Sequence, residues 1–166
     1  LSPVDIASIE GAGKSMASAF IGVTTAESQA IQSEDLIRVN VLKFFGHLKE
    51  LGAEFGFRSA SEMIRFCRIA ASFSNQQDID HLIDAAVLQK LLPKLHGSRS
   101  KLSGPIREMA ILCLAENNRQ DDVAKYLSQD SIWVGDSRVR FPMTLEKLGR
   151  MQRALDHNGF TSFAEA

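Results

Sequence analysis

The 166-residue sequence lacks several features that would assign a protein to a class at once. It has no run approaching the roughly 20 apolar residues that cross a bilayer, and it does not open with the charged and then apolar segment of a signal peptide. Its two cysteines and four histidines do not have metal-ligand spacing. These absences argue against a disulfide scaffold, a zinc site and a thiol nucleophile. They predict a cytoplasmic protein with buried free thiols, no metal and no membrane contact.

Charge of one sign is also lacking. The chain has 19 basic and 20 acidic residues and a formal net charge of −1, so it offers no global attraction to nucleic acid or to an anionic membrane. A local basic patch is still compatible with this balance. The hydrophobic fraction of 45% and the length predict one domain with a sizeable core. Because the chain starts with Leu1 rather than Met, we expect a fragment or a processed product.

Two parts of the chain differ in composition. Residues 1–33 are rich in small and polar side chains, with one candidate strand at residues 20–25, and we expect a linker or the remnant of a preceding domain. Residues 34–166 carry apolar residues at steps of three and four, as amphipathic helices do. The pattern predicts an all-α bundle of about five helices with an irregular N-terminal arm and at most one or two short strands.

Local signals predict where these helices begin and end. Residues 59–62 have the pattern of a capping box, in which a serine and a glutamate bond to each other's backbone amide. Pro93 should kink or stop the third helix, and Pro105 suits the first turn of the fourth. The last helix should start after Pro142, with Thr144 as its cap, and end at Gly159.

One stretch partly matches a phosphate-binding loop. Residues 9–15 end in Gly13-Lys14-Ser15, but Ser8 occupies the position where such a loop has its first glycine. No convincing buried strand precedes the stretch, and no later apolar run ends in a magnesium-binding acid. A glycine-rich linker is therefore the preferred interpretation, and a true phosphate loop is the alternative.

Basic residues supply two further candidate sites. Arg58 immediately precedes the predicted capping box, where a guanidinium and the positive end of a helix favour an anion such as phosphate; a plain surface arginine is the alternative. A basic run with no intervening acid follows later in the chain: Lys90, Lys94, Arg99, Lys101 and Arg107. A solvated helix face explains the run most simply, and a docking surface for another subunit or for nucleic acid is the alternative.

Three segments together resemble the C-terminal part of the McrB-like AAA+ NTPases, the family of the 5-methylcytosine restriction GTPase subunit. They are EFGFRSASE at residues 54–62, LQKLLPKLHGSR at residues 88–99, and residues 141–163, which open with FPMTLEKL and close with GFTSF. The second segment is the most specific of the three. Their order and spacing also agree with the family, and the resemblance spans residues 34–163.

The resemblance implies a helical lid that packs beside an upstream AAA+ core. The parent would be a ring-forming motor that hydrolyses GTP or ATP with Mg²⁺ and acts with a nuclease subunit against foreign DNA, which it would contact through other parts. Arg58 matches the lid arginine, sensor 2, that reaches the nucleotide phosphates. The basic run would contact neighbouring subunits of the ring.

The sequence departs from the full family pattern in one respect. It shows no credible phosphate loop, Walker B acid, sensor 1 or arginine finger, and we expect these upstream of Leu1. The resemblance therefore implies that this chain alone does not hydrolyse nucleotides, has no catalytic residue and holds no cofactor, whereas the parent is an NTPase. The alternative is a non-catalytic helical adaptor that binds a protein partner through the surface from Lys90 to Arg107.

Overall fold

The computed structural model describes residues 34–50, 56–73, 79–115, 123–128 and 136–166, together with position 18. The candidate strand at residues 20–25 and the glycine-rich stretch at residues 9–15 lie outside these ranges. So does the predicted linker at residues 1–33, apart from position 18.

Helix dominates the described residues, which confirms the all-α prediction. Six α-helices lie wholly within the described ranges: α1 (Glu34–Glu50), α2 (Phe57–Phe73), α3 (Ile79–Ala86), α4 (Arg99–Leu112), α5 (Val123–Ser128) and α6 (Pro142–Asn158). Two short strands, β1 (His96–Ser98) and β2 (Phe160–Ser162), pair antiparallel with Gly97 opposite Thr161. No helix within the described ranges is both long and apolar enough to cross a membrane.

The apolar stripes of the helices meet in one core. In α1, the apolar residues Ile37, Val41, Phe44 and Leu48 recur at steps of four and three and are all buried, which confirms the helical spacing predicted for this part of the chain. Fully buried residues of the other helices join it: Met63, Ile83, Ile106, Met109, Leu145, Leu148, Met151 and Leu155. Each such side chain contributes about 1.5–3 kcal/mol when it leaves water, so packing, more than helix propensity, holds the bundle together.

Beyond Ala86, the helical path of α3 changes its winding twice. Val87–Leu91 form a π-helical turn, in which the Leu92 amide donates to the Val87 carbonyl, and Leu92–Lys94 form a 3-10 turn. Pro93 lacks an amide hydrogen, and its ring would clash with the carbonyl four residues earlier in an α-helix. The predicted break at Pro93 is therefore confirmed, and this π/3-10 junction carries Lys90 and Lys94.

Pro105 lies inside α4 rather than in its first turn, so that prediction was wrong. The helix already starts at Arg99, whose amide donates to the Gly159 carbonyl at 2.9 Å where β1 and β2 meet. Gly104 precedes the proline and has no Cβ to clash with its ring, which eases the usual bias of that position against helix. Pro105 and Ile106 are both buried, and their packing offsets the lost hydrogen bond.

The start of α6 is capped by another helix. The Asp84 carboxylate of α3 accepts hydrogen bonds from the amides of Met143, at 2.9 Å, and Thr144, at 2.8 Å. The Thr144 hydroxyl donates to the Asp84 carbonyl at 3.2 Å, so the prediction that Thr144 caps its own helix was wrong. At the other end, Gly159 has a φ of 71° and its amide donates to Leu155, as predicted for a helix-ending glycine.

Arg140 connects α1, α3 and the segment before α6. Its guanidinium donates to both Asp80 carboxylate oxygens, at 2.8 and 2.6 Å, and to the Asn40 side-chain oxygen at 2.8 Å. The same group lies 4.9 Å from the centre of the Phe141 ring. This bidentate pair therefore fixes three parts of the chain at one point.

Candidate functional site at the start of α2

Arg58 lies in the first turn of α2, not ahead of it. The helix begins at Phe57, and the Ser59 amide already donates to the Gly56 carbonyl at 2.9 Å. The Glu62 carboxylate accepts from Arg58 Nε at 2.9 Å, and Ser59 Oγ accepts from the Lys94 ammonium. Both side chains of the predicted capping box are thus bonded to other side chains, and the box was predicted wrongly.

The pair of Arg58 and Glu62 stands at the surface. The side chains are 92% and 48% exposed, so the guanidinium is accessible to a ligand and the pair contributes little to stability. The hydrogen bond from Arg58 lowers the pKa of the Glu62 carboxyl, and the positive charges of Arg58, Lys94 and Lys90 lower it further. One bonded cation and two further positive charges thus hold the pKa of the Glu62 carboxyl below its ordinary value.

The structure brings two residues of the predicted basic run to this place. Lys94, in the 3-10 turn, bonds to Ser59 in the first turn of α2, across 35 residues of sequence. Lys90, in the preceding π-helical turn, is close enough to Glu62 to lower its pKa. We call Arg58, Lys90, Lys94 and Glu62 the basic cluster. It carries an excess of positive charge at the end of α2 where the helix dipole is also positive.

The other three residues of the run have different surroundings. The Arg99 guanidinium donates to the Leu155 carbonyl at 2.7 and 3.0 Å, and also to the Asp156 carbonyl. It therefore satisfies carbonyl groups at the C-terminal end of α6. Arg107 lines a pocket of about 330 Å³ with residues of α5 and α6, and Lys101 is exposed. A subunit contact through all five residues stays a prediction.

An open groove lies next to the basic cluster, between α1 and the start of α2. Its volume is about 580 Å³, and it is lined by Leu42, Phe45, Gly46, Lys49, Gly56, Phe57 and Ala60. Phe57 is 91% exposed, which is unusual for a large aromatic side chain in a folded domain. The groove therefore presents apolar surface beside the exposed guanidinium of Arg58.

α1 is apolar on two sides. Opposite its buried stripe, Leu36, Val39 and Leu42 are 48%, 51% and 45% exposed. They follow one another at steps of three, so they form a continuous strip, which we call the outer face of α1. The outer face meets the groove at Leu42, and contiguous exposed apolar surface of this kind is typical of a contact with another protein or domain.

The structure also shows the surroundings of the two cysteine thiols and of the side chains that could bind a metal ion. Among the described residues, Cys67 and Cys113 are buried and free. Burial raises the pKa of the Cys67 thiol to about 11 and that of Cys113 well above its ordinary value. Both therefore stay protonated, unlike a thiol nucleophile. Within the same ranges, no group of three or more His, Cys, Asp or Glu side chains is placed to hold a metal ion.

These observations define an all-α domain with a basic cluster and an apolar groove at the start of one helix. The chain belongs to the family described as a domain of unknown function, DUF8727, whose model matches residues 9–160. No curated protein and no solved structure matches the sequence.

Proposed function

We propose that this chain is the C-terminal lid of a McrB-like AAA+ motor. In this role it covers GTP or ATP bound with Mg²⁺ to an upstream core and couples the state of the nucleotide to neighbouring subunits in a ring. The parent protein would hydrolyse the nucleotide and, with a nuclease subunit, restrict foreign DNA. The observation that carries the proposal is the exposed guanidinium of Arg58 in the first turn of α2.

The surroundings of Arg58 favour a phosphate ligand over a structural role. Its guanidinium has a fork of donors that matches phosphate oxygens, and the first turn of a helix adds free backbone amides and a positive dipole. Its observed partner, Glu62, is half exposed and can turn to solvent. Arg58 is thus available to an anion brought by a neighbouring domain.

The outer face of α1 and the groove support the proposed coupling to neighbouring subunits. A lid has to pack against its own core and against a neighbour, and such contacts need apolar surface that the isolated domain leaves exposed. Leu36, Val39, Leu42 and Phe57 provide it. The same surface also favours the second candidate, a non-catalytic helical adaptor that binds a protein partner.

The test is hydrolysis by the parent protein with Arg58→Ala. If Arg58 contacts the phosphates in the transition state, we expect the rate of GTP or ATP hydrolysis to fall at least about tenfold, the effect of roughly 1.4 kcal/mol on the barrier. The domain should stay folded, because an exposed arginine contributes little to stability.

Arg150→Ala is a matched control for this experiment. Arg150 also donates to a glutamate four residues away, Glu146, at 2.6 Å, and is about half exposed, but it lies on α6. We expect the Arg150→Ala parent to hydrolyse the nucleotide at the same rate as the unmodified parent. Unchanged hydrolysis by the Arg58→Ala parent would contradict the lid proposal and favour the adaptor.

A further inference from the structure

The arrangement of charges in the basic cluster does not favour the stability of the folded domain. The positive charges of Arg58, Lys94 and Lys90 all act on the Glu62 carboxyl. Arg58 lies in the first turn of α2 and Lys94 bonds to Ser59 there, at the end of the helix where the dipole disfavours cations. The first turn of α2, which is fully described, contains no acidic residue. Glu62 offsets this positive charge only in part. Local rules are most often broken in this way at sites that bind something.

Two of the cations come from a backbone geometry that is itself unusual. Lys90 lies in a π-helical turn and Lys94 in the 3-10 turn that follows, at the junction formed around Pro93. Short π-helical segments occur frequently at functional sites. This junction brings Lys94 within hydrogen-bonding distance of Ser59, the residue next to Arg58.

We propose that Lys90 and Lys94 complete, with Arg58, a binding site for the phosphate chain of a nucleotide, and that Glu62 holds Arg58 until the phosphate displaces it. The identity of the ligand rests on the proposed function. The existence of the site rests on the contacts of Arg58 with Glu62 and of Lys94 with Ser59, and binding to the isolated chain tests it directly.

Each member of the basic cluster has a defined part in this exchange. Phosphate oxygens accept from the Arg58 fork in place of the Glu62 carboxylate. Lys94 exchanges its bond to the Ser59 hydroxyl for a stronger bond to a charged oxygen. Lys90 contributes as a point charge. Glu62 thus competes with the ligand for Arg58, so removing the charge of Glu62 should strengthen binding of the ligand.

The first experiment titrates the chain with inorganic tripolyphosphate and measures the dissociation constant by calorimetry. We expect Lys94→Gln, which keeps a donor for Ser59, to weaken binding about tenfold and Lys90→Gln to weaken it several-fold. Glu62→Gln should instead tighten binding several-fold, because Arg58 is then no longer paired with a carboxylate. Lys125→Gln, an exposed lysine on α5, is the control and should bind like the unmodified chain.

A circular dichroism melt of each variant separates a lost ligand contact from a lost fold. Unchanged binding by a folded Lys94→Gln chain, or weaker binding by Glu62→Gln, would overturn the site. No binding of tripolyphosphate by the unmodified chain would also overturn it.

The second experiment identifies the ligand. It repeats the titration with GTP, with ATP and with a short DNA duplex at physiological salt. Nucleotide binding that follows the tripolyphosphate order of variants supports the proposal. Tighter binding to DNA that is lost in Lys94→Gln would overturn it in favour of a nucleic-acid site. Tripolyphosphate binding together with full hydrolysis by the Arg58→Ala parent would refute the lid while leaving the anion site in place.

Discussion

Replacing Asp84 tests how α6 is held in the bundle. In the Asp84→Ala chain, the amides of Met143 and Thr144 lose the carboxylate that accepts from them at 2.9 and 2.8 Å. Asp84 is fully buried, so water cannot easily replace it. A buried amide without a partner costs about 1–3 kcal/mol, and removing a buried carboxylate returns part of that cost. Because two amides lose their partner, we expect the free energy of unfolding to fall by about 2–4 kcal/mol, more than the roughly 0.5–2 kcal/mol of an ordinary helix cap.

Urea unfolding followed by circular dichroism measures this change. For a chain of this size, 1 kcal/mol shifts the melting temperature by about 2–4 °C, so the variant should melt about 4–16 °C lower. Asp84→Asn keeps one acceptor oxygen and should lose about half as much. Asp156→Ala is the control: its exposed carboxylate accepts from Gln152, and the change should stay within about 0.5 kcal/mol. An Asp84→Ala chain as stable as the control would refute the interhelical cap.

The pH dependence of the free energy of unfolding, compared between the unmodified chain and Asp84→Asn, provides a second check. Burial raises the pKa of the Asp84 carboxyl, although the hydrogen bonds from Thr144 and Met143 act in the opposite direction. The unfolded chain therefore releases this proton at a lower pH than the folded chain does. The contribution of Asp84 to stability should be largest below its unfolded pKa of about 3.9 and decline as pH rises through the folded value. Asp84→Asn should lack this decline.

Two further predictions concern ion pairs. Arg140→Ala should lower the free energy of unfolding by about 2–3 kcal/mol, because it removes charge-assisted bonds to Asp80 and Asn40. A double-mutant cycle with Asp80→Ala measures the coupling between the two residues. Additive effects of the two substitutions would contradict the prediction. The hydrogen bond from the Arg138 side chain lowers the pKa of Asp136 to about 2. The advantage of the unmodified chain over Asp136→Asn should therefore be present above pH of about 4 and disappear as pH falls toward 2. An advantage that persists at pH 2 would refute that assignment.

The parts of the fold that were predictable from sequence depend on periodicity and on single residues with strong backbone preferences. Ile37 and Phe44 are buried because helical spacing places them on one face, and that face is continuous enough to define a core. Pro93 and Gly159 act through their own backbone geometry, whatever their neighbours are. Arg58 could be found as a candidate because it lies beside a helix start.

Apart from the position of Pro105, the errors concern side chains whose partners are distant in sequence. A serine followed three residues later by a glutamate is a sound local signal for a cap, but Lys94 bonds to Ser59 from 35 residues away. In the same way, Thr144 has the composition of a cap, while Asp84 takes that role from 60 residues away. No local pattern contains these partners. For that reason the gathering of Lys90 and Lys94 around Glu62 could not be predicted either.

The geometry of α2 also connects the proposed phosphate binding to the proposed contact with a neighbouring subunit. Successive residues of a helix are rotated by roughly 100°, so the neighbours Phe57 and Arg58 face different surroundings. Phe57 lines the groove beside α1, whereas Arg58 bonds to Glu62 in the basic cluster. An anion that pulls on Arg58 therefore acts on the same helical turn that shapes the groove. In our proposal, this single turn transmits phosphate binding to the apolar surface that a neighbouring subunit would contact.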